Sequence, residues 1–217
     1  MITNIYLIRH AQSQGNLSGR FQGRIDTPLT PLGTAQAQAL GKRFSGTPLH
    51  GVYSSPLEWA RQTAAAIAAH HGLPVRILPG LTEMYGGAVE GVLFTEIRER
   101  DPEQFRMFDE QPHLFGGFEG AESIADLYAR GLAAIREIAS AHHRQNVAVV
   151  SHGCLIRCLV CHAQAGTLQT LGNTKWSGNT GVFHITYDPD GGVALLCENN
   201  LDHLDNVPPL EELTIKV

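Results

Sequence analysis

Residues 5–10, with the sequence Ile-Tyr-Leu-Ile-Arg-His, pass from an apolar run directly to an arginine and a histidine. Residues 147–153 repeat this arrangement, because Val-Ala-Val-Val is followed by Ser-His-Gly. A short apolar run bounded by polar residues is typical of a strand that helices cover on both faces. Parallel strands bring their carboxyl ends to the same edge of a sheet, so we expect His10 and His152 to lie close together.

Predicted strands and helices alternate along the rest of the chain. Helices are predicted over residues 31–44, 56–71, 93–108, 124–138 and 155–165, and further strands over 52–54, 75–78, 182–187 and 193–197. The alternation predicts an α/β fold, a three-layer α/β/α sandwich with a mainly parallel central sheet and an antiparallel hairpin from the last two strands. We expect residues 1–217 to form a single domain, with an insertion at about 81–120 over the carboxyl ends of the strands, where the active site of an α/β enzyme would lie.

Two helix starts are marked by local signals. Thr30 followed by Pro31 is typical of an N-cap with proline in the first helical position. Ser55, Pro56 and Glu58 have the spacing of a capping box, which predicts that the next helix begins at Ser55.

Composition and charge exclude several classes of protein. The chain has 217 residues, 43% of them hydrophobic and 17% charged, which excludes collagen, coiled coil and wholesale disorder. Its net charge of −5 offers no general attraction to nucleic acid or anionic membranes. The N-terminus lacks the basic region of a signal peptide, and no segment approaches the length of a membrane span. We therefore expect a cytoplasmic protein that binds neither nucleic acid nor membranes.

The four cysteines do not indicate a disulfide framework or a cofactor. Cys154, Cys158 and Cys161 recur at i, i+4 and i+7, the spacing of a buried helical stripe. Residues 158–162 match the short pattern of c-type haem attachment and contain a redox-type Cys-x-x-Cys. Haem attachment of that kind requires export, which the N-terminus does not support, and a buried stripe explains the cysteine spacing better. Zinc would need a second pair of ligands, and none is evident. We expect no cofactor and no metal.

Several short motifs occur in a fixed order between residues 3 and 188. They are Arg9-His10-Ala11-Gln12-Ser13-Gln14-Gly15-Asn16, the loop 20–30, Tyr53-Ser54-Ser55-Pro56-Leu57 with Gln62-Thr63-Ala64, Leu81-Thr82-Glu83 with Gly87, Glu90 and Gly91, Gly120-Ala121-Glu122-Ser123, Val150-Ser151-His152-Gly153 and Asn179-Thr180-Gly181-Val182. Together they resemble the histidine phosphatase superfamily, the phosphoglycerate mutase-like proteins, whose signature is Arg-His-Gly-x-Thr-x-x-Asn. Here Ala11 replaces the glycine and Ser13 the threonine. An ordered set of motifs is far more specific than any single tripeptide.

The resemblance implies a metal-independent phosphatase acting on a small phosphorylated metabolite. It implies that His10 attacks phosphorus and becomes phosphohistidine, that Glu83 protonates the leaving alcohol, and that His152 hydrogen-bonds the transferring group. The other implied site residues are Arg9, Asn16 and Gly153 for phosphate binding, and Gln22, Gly23, Trp59 and Arg61 for substrate binding. The chemistry agrees, because phosphoryl transfer requires positioning, cationic donors around the phosphoryl oxygens and an acid at the departing oxygen.

One position departs from the family pattern. A second phosphate-binding arginine is expected four residues before Thr63, where this chain has Trp59. An indole cannot provide the bidentate clamp of a guanidinium. Arg61 stands two residues later, and two helical residues turn by about 200°, so it should face away from Trp59 and substitute poorly.

Three interpretations of Trp59 stay open. In the first, the enzyme still works because another cation, such as Arg20, Arg24 or Arg61, reaches the phosphate. In the second, the enzyme is slow or selective for an unusual substrate, with Trp59 stacking on an aromatic leaving group. In the third, the chain binds a phosphorylated ligand without turnover. A mutase is disfavoured, because residues 15–16 are Gly-Asn where phosphoglycerate mutases carry Trp-Asn.

The substrate and the oligomeric state are left open, with a homodimer as one candidate assembly. Aromatic residues in or near the predicted insertion are candidates for a specificity pocket. They are Tyr85, Phe94, Phe105, Phe108, Phe115 and Phe118.

Overall fold

A six-stranded mixed sheet forms the centre of the computed structural model, which describes residues 2–188, 190–205 and 207. The strands are β1 (Thr3–Arg9), β2 (Gly51–Ser54), β3 (Val75–Ile77), β4 (Asn146–Ser151), β5 (Val182–Tyr187) and β6 (Val193–Asn200). Their order is β3-β2-β4-β1-β5-β6, in which the first four strands are parallel and the last two form an antiparallel hairpin along one edge. The predicted α/β fold with a mainly parallel sheet is confirmed.

Helices cover both faces of this sheet. The helices of the described residues are α1 (Gln14–Ser18), α2 (Pro31–Phe44), α3 (Glu58–Ala68), α4 (Phe94–Arg100), α5 (Pro102–Glu110), α6 (Ile124–Ala141) and α7 (Gly153–Ala163), of which α2 and α3 cover one face and α6 and α7 the other. Alternation along β1 defines the two layers, since Ile5 and Leu7 pack into the core beneath α6 and α7, whereas Ile8 packs beneath α2 and α3. None of the helices in the described part of the chain is long and apolar enough to span a bilayer.

The two predicted helix starts have different outcomes. Thr30 caps α2 as expected, because its hydroxyl accepts a hydrogen bond from the Gly33 amide at 2.9 Å, with Pro31 in the first turn. The capping box predicted at Ser55 is wrong. α3 begins at Glu58 after Leu57, which provides no side-chain cap. The Ser55 hydroxyl accepts from the Leu57 amide at 3.2 Å, before the helix begins, and also lies 2.6 Å from Nε2 of His152.

The segment predicted as helical over 93–108 is two helices, α4 and α5. They meet at Asp101 and Pro102, and Asp101 leaves the helical region with φ −144° and ψ 80°. Proline disfavours helical geometry in the residue before it and lacks an N–H, so one helix ends there. The Asp101 carboxylate then caps α5 by accepting from the Gln104 amide at 3.0 Å.

The loop predicted after β1 contains the short helix α1. Ser13 caps it by accepting from the Asn16 amide, and the Asn16 side chain accepts in turn from the Ser13 amide. This reciprocal cap places Asn16 close to the carboxyl end of β1, on the edge of the sheet where His10 and His152 follow their strands.

Candidate active site

The two histidines meet at the carboxyl ends of neighbouring parallel strands. Arg9 of β1 is in register with Ser151 of β4, so the next residue of each strand reaches the same edge of the sheet. The ring centroids of His10 and His152 are 5.2 Å apart, and both side chains are buried. The proximity predicted from the two strand ends is confirmed.

The protonation of His10 follows from its contacts. Its Nδ1 lies 2.7 Å from the carbonyl oxygen of Ala11, which only accepts, so Nδ1 carries the proton and Nε2 keeps its lone pair. Burial, assisted by the charge of Arg9, lowers the pKa of His10 from 6.5 to about 3. The ring is therefore a neutral imidazole at physiological pH, the form that acts as a nucleophile.

His152 has a protein partner at each ring nitrogen. The Trp59 indole Nε1 donates to His152 Nδ1 at 3.0 Å, and an indole N–H is a donor only. Nδ1 is therefore unprotonated, and the neutral ring carries its proton on Nε2, which donates to Ser55 Oγ. Burial, with the nearby His10 and Arg9, holds the pKa of His152 well below its usual value. A hydrogen bond from His152 to a phosphoryl group thus requires Ser55 to give up its contact.

Glu83 is buried against the N-terminus of α7. Its Oε2 accepts from the Cys154 amide at 3.0 Å, and its Oε1 accepts from the amides of Met84 at 2.8 Å and Leu155 at 3.3 Å. Burial raises the pKa of Glu83, although the amides of Cys154 and Met84 and the charges of Arg9 and Arg130 oppose the shift. A buried carboxyl that retains its proton to higher pH suits a general acid.

The Glu83 segment is held by Arg130 of α6. Its guanidinium donates to the carbonyl oxygens of Gly80 at 3.0 Å, Thr82 at 2.6 Å and Glu83 at 2.9 Å. It also makes a bidentate ion pair with Glu122 at 2.6 and 2.9 Å. Sequence reasoning missed Arg130. The one signal was a charged residue three positions after Leu127, beside the apolar stripe of α6.

Three candidate phosphate donors lie around His10 and line the same cavity: Arg9, Asn16 and Gly153. Arg9 donates from Nη1 to the Ser177 carbonyl, while its buried Nε has no partner among the described residues. Gly153 is the first residue of α7, where the partial positive charge of the helix N-terminus favours an anion.

Asn16 is oriented by a second asparagine. Its Oδ1 accepts from the Ser13 amide at 3.2 Å and from Asn179 Nδ2 at 3.1 Å, and the same Asn179 Nδ2 lies 3.1 Å from the His10 carbonyl. With its oxygen occupied, Asn16 presents its NH2 group as a donor. Sequence reasoning assigned no role to Asn179, which stood only in a matching motif.

Of the four substrate-binding candidates, two line the cavity and two do not. Trp59 and Gln22 line the cavity, and Gln22 is fixed by Ser13 Oγ at 2.7 Å. Gly23 does not line the cavity, and a Cβ added to it would come within 2.2 Å of the Met84 carbonyl oxygen. Arg61 is exposed on α3 and does not line the cavity, in agreement with the helical-wheel argument.

Of the other two arginines considered as substitutes for the family's second arginine, one reaches the cavity. Arg20 lines it and donates to the Gly91 carbonyl at 2.7 Å. Arg24 lies over the Tyr85 ring at 5.2 Å and within 3.9 Å of Glu122, away from the phosphate end.

The cavity has a volume of about 310 Å³ and an aromatic wall made of Phe21, Phe94, Phe105, Phe108 and Trp176. Three of these were among the specificity candidates, whereas Phe115 and Phe118 are buried in the core and Tyr85 does not line the cavity. Phe21 and Trp176 were missed as wall residues, because neither lies in the segment predicted as an insertion.

The cysteine stripe of α7 is buried as expected, and the four cysteines are unpaired. Burial raises the pKa of Cys154, which borders the cavity, so it is a thiol. Across the described ranges, no group of three or more His, Cys, Asp or Glu side chains is placed to hold a metal ion.

Comparison with known proteins gives concordant matches. The model of the histidine phosphatase superfamily (branch 1) matches residues 5–200. Phosphoserine phosphatase 1 of Hydrogenobacter thermophilus is 37% identical over 160 residues, covering 74% of this chain and 75% of that protein. The metal-independent phosphoserine phosphatase of Arabidopsis thaliana is 34% identical over 161 residues, covering 73% and 67%. The solved structure of Bacillus stearothermophilus YhfR superposes with a TM-score of 0.88 at 30% identity, covering 94% of this chain and 100% of that one.

Proposed function

Since the chain belongs to the histidine phosphatase superfamily, branch 1, and is a phosphatase, we propose that it hydrolyses small phosphomonoesters through a phosphohistidine at His10. The observation that carries the proposal is the contact between His10 Nδ1 and the Ala11 carbonyl at 2.7 Å. This contact leaves the Nε2 lone pair for attack. Arg9 and Glu83 line the same cavity and supply the cation and the acid that the reaction needs.

In the first half-reaction, His10 Nε2 forms a bond to phosphorus while the bond from phosphorus to the ester oxygen breaks. Glu83 gives its proton to that oxygen, so the alcohol leaves neutral. Arg9 and the Asn16 NH2 group hold the phosphoryl oxygens as charge spreads over them. In the second half-reaction, the water oxygen bonds to phosphorus while the bond from phosphorus to His10 Nε2 breaks, and Glu83 takes a proton from that water. Phosphate is released and His10 is restored as the neutral imidazole.

Trp59 changes how phosphate is held. Among the residues that the structure describes, Arg9 supplies the guanidinium at the phosphate end of the cavity, beside the N-terminus of α7. The indole N–H of Trp59 is used by His152. Weaker ground-state binding of phosphate follows, since one bidentate donor pair is lost. The alternative function rests on the same residue. With Trp59 in place of an arginine, the chain would bind phosphorylated ligands without turning them over.

The test is phosphate release from 4-nitrophenyl phosphate in EDTA, from mildly acidic to neutral pH. The native chain should release phosphate, and His10→Ala should abolish the release. The matched control is His143→Ala, which removes an exposed histidine far from the cavity and should behave as the native chain. Equal rates from the native chain and His10→Ala would contradict the proposal. No release from the native chain would favour the silent binder.

A further inference from the structure

The part of the cavity away from His10 is a continuous aromatic surface. Phe108 lies at its centre, with ring centroids 6.1 Å from Phe21, 6.4 Å from Phe105 and 5.9 Å from Trp176, while Phe21 lies 5.7 Å from Phe94. Rings at these separations form one wall rather than isolated contacts.

Two of these rings are exposed although they lie in a concave site. Phe94 and Trp176 are each 39% exposed, whereas Phe21 and Phe108 are 3% and 5% exposed. When a ligand covers apolar surface that opens into a cavity, that surface is removed from water, which lowers the free energy of the complex. The exposed pair therefore marks where the body of a ligand would lie.

Trp176 is held in place before any ligand arrives. Its indole Nε1 donates to Asp109 Oδ1 at 2.7 Å, and the Arg157 guanidinium lies 4.5 Å from the ring centroid. Arg157 is itself fixed, since it donates to the carbonyl oxygens of Thr174 at 2.8 Å and Asp109 at 2.7 Å. A ring clamped from behind forms a rigid surface, so little conformational entropy is lost on binding.

Charge at this wall disfavours a second anionic group on the ligand. Among the described residues, the cations that line the cavity are Arg9 at the phosphate end and the exposed Arg20, whose backbone pairs with Leu93 next to Phe94. Around Trp176, the charged group that lines the cavity is the carboxylate of Asp109, which lies 3.9 Å from the guanidinium of Arg157 and accepts from the Trp176 indole. The Arg157 side chain is 5% exposed and does not line the cavity. A carboxylate or second phosphate placed against Trp176 would lose hydration without contacting a cation that lines the cavity.

Resting on the proposed function, we propose that the preferred substrates are phosphomonoesters of alcohols that carry a flat, uncharged ring. The phosphate lies against Arg9 and His10, and the ring lies against Phe94 and Trp176. Phosphomonoesters of small alcohols that carry a carboxylate can react in the same way at phosphorus. They would leave the aromatic wall exposed to water and place a negative charge near Asp109.

The test compares three esters that all release a primary alcohol: 2-phenylethyl phosphate, propyl phosphate and 3-phosphoglycerate. Because the three leaving groups are primary alkoxides, differences in kcat/KM among the esters reflect contacts with the cavity rather than the reactivity of the leaving group. We expect kcat/KM for the phenylethyl ester to exceed that for the other two by about tenfold or more, mainly through KM. Trp176→Ala and Phe94→Ala should each reduce this selectivity ratio. Leu196→Ala removes an exposed apolar side chain of β6 and should keep the ratio.

A binding measurement separates the failure of this inference from the failure of the proposed function. Calorimetric titration of His10→Ala should show 2-phenylethyl phosphate binding about tenfold more tightly than propyl phosphate. Equal affinities, or turnover of all three esters with equal kcat/KM, would overturn the ring preference while the phosphatase stands. If the native chain hydrolyses none of the esters, the proposed function is wrong, and the two affinities alone decide the ring preference.

Discussion

The indole Nε1 of Trp59 donates a hydrogen bond to Nδ1 of His152 at 3.0 Å. The tryptophan that stands where the family pattern has an arginine is thus a buried donor with a defined partner, 1% exposed. It selects the tautomer of His152 and directs the proton of that ring to Nε2. Where the family resemblance implies a phosphate-binding arginine, this chain thus has a donor that orients the second histidine.

Trp59→Phe tests this orientation, because it keeps an aromatic ring and deletes the N–H. His152 Nδ1 is then left buried without a donor, so the free energy of unfolding should fall by about 1–3 kcal/mol. We expect kcat to fall as well, while Trp59→Arg, which restores N–H donors, should retain kcat more fully. Denaturant titration and steady-state kinetics check both. A Trp59→Phe enzyme with native kcat would show that the contact does not position His152 for the reaction.

Glu83→Gln tests the proton donor through the leaving group. An alkyl alcohol leaves poorly without a proton, whereas 4-nitrophenolate leaves readily as an anion. The rate of alcohol release from propyl phosphate should therefore fall by about 10²-fold or more, and the release of nitrophenol should fall much less. Rapid-quench measurement of the first turnover isolates this step. An equal loss on both esters would assign Glu83 a role other than donating the proton.

The pH dependence should follow from the opposite shifts of His10 and Glu83. The pKa of His10 is lowered to about 3, so the nucleophile stays neutral throughout the pH range in which the protein is assayed. The pKa of Glu83 is raised above 4.5, so the acid is protonated at low pH and loses its proton as pH rises through that raised value. For propyl phosphate, kcat/KM should therefore fall on the alkaline side. A rise in kcat/KM towards alkaline pH would contradict this assignment.

Arg130→Lys tests the brace on the Glu83 segment. A single ammonium group cannot span three carbonyls and the Glu122 carboxylate, so stability should fall by about 1–3 kcal/mol. Misplacement of Glu83 should also lower kcat for propyl phosphate more than for 4-nitrophenyl phosphate. Arg136→Lys, an exposed change on the same helix, is the matched control and should match the native chain. Equal losses on both esters would indicate a purely structural brace.

The sequence was sufficient for the sheet and for the meeting of His10 with His152. Buried parallel strands carry a strong apolar signal, and their carboxyl ends must share one edge of the sheet. The sequence also predicted that Trp59 and Arg61 lie on different faces of α3, because the angle between two residues of a helix depends only on their spacing.

What escaped prediction depends on contacts between distant segments. Ser55 has the spacing of a helix cap, but its hydroxyl lies 2.6 Å from Nε2 of a histidine 97 positions away. Arg130 and the segment it braces are separated by about 50 residues, and Trp176 joins the aromatic wall from beyond α7. Local propensity and spacing carry no information on such pairs.

The most direct test of the phosphohistidine is to quench the reaction of a radiolabelled phosphomonoester within the first turnover, in EDTA, and to measure label bound to the protein. The native chain and His143→Ala should carry label that is stable in alkali and lost in acid, as a phosphoramidate bond requires, and His10→Ala should carry none. Phosphate release by the native chain without bound label, or label that persists in His10→Ala, would contradict a phosphohistidine at His10.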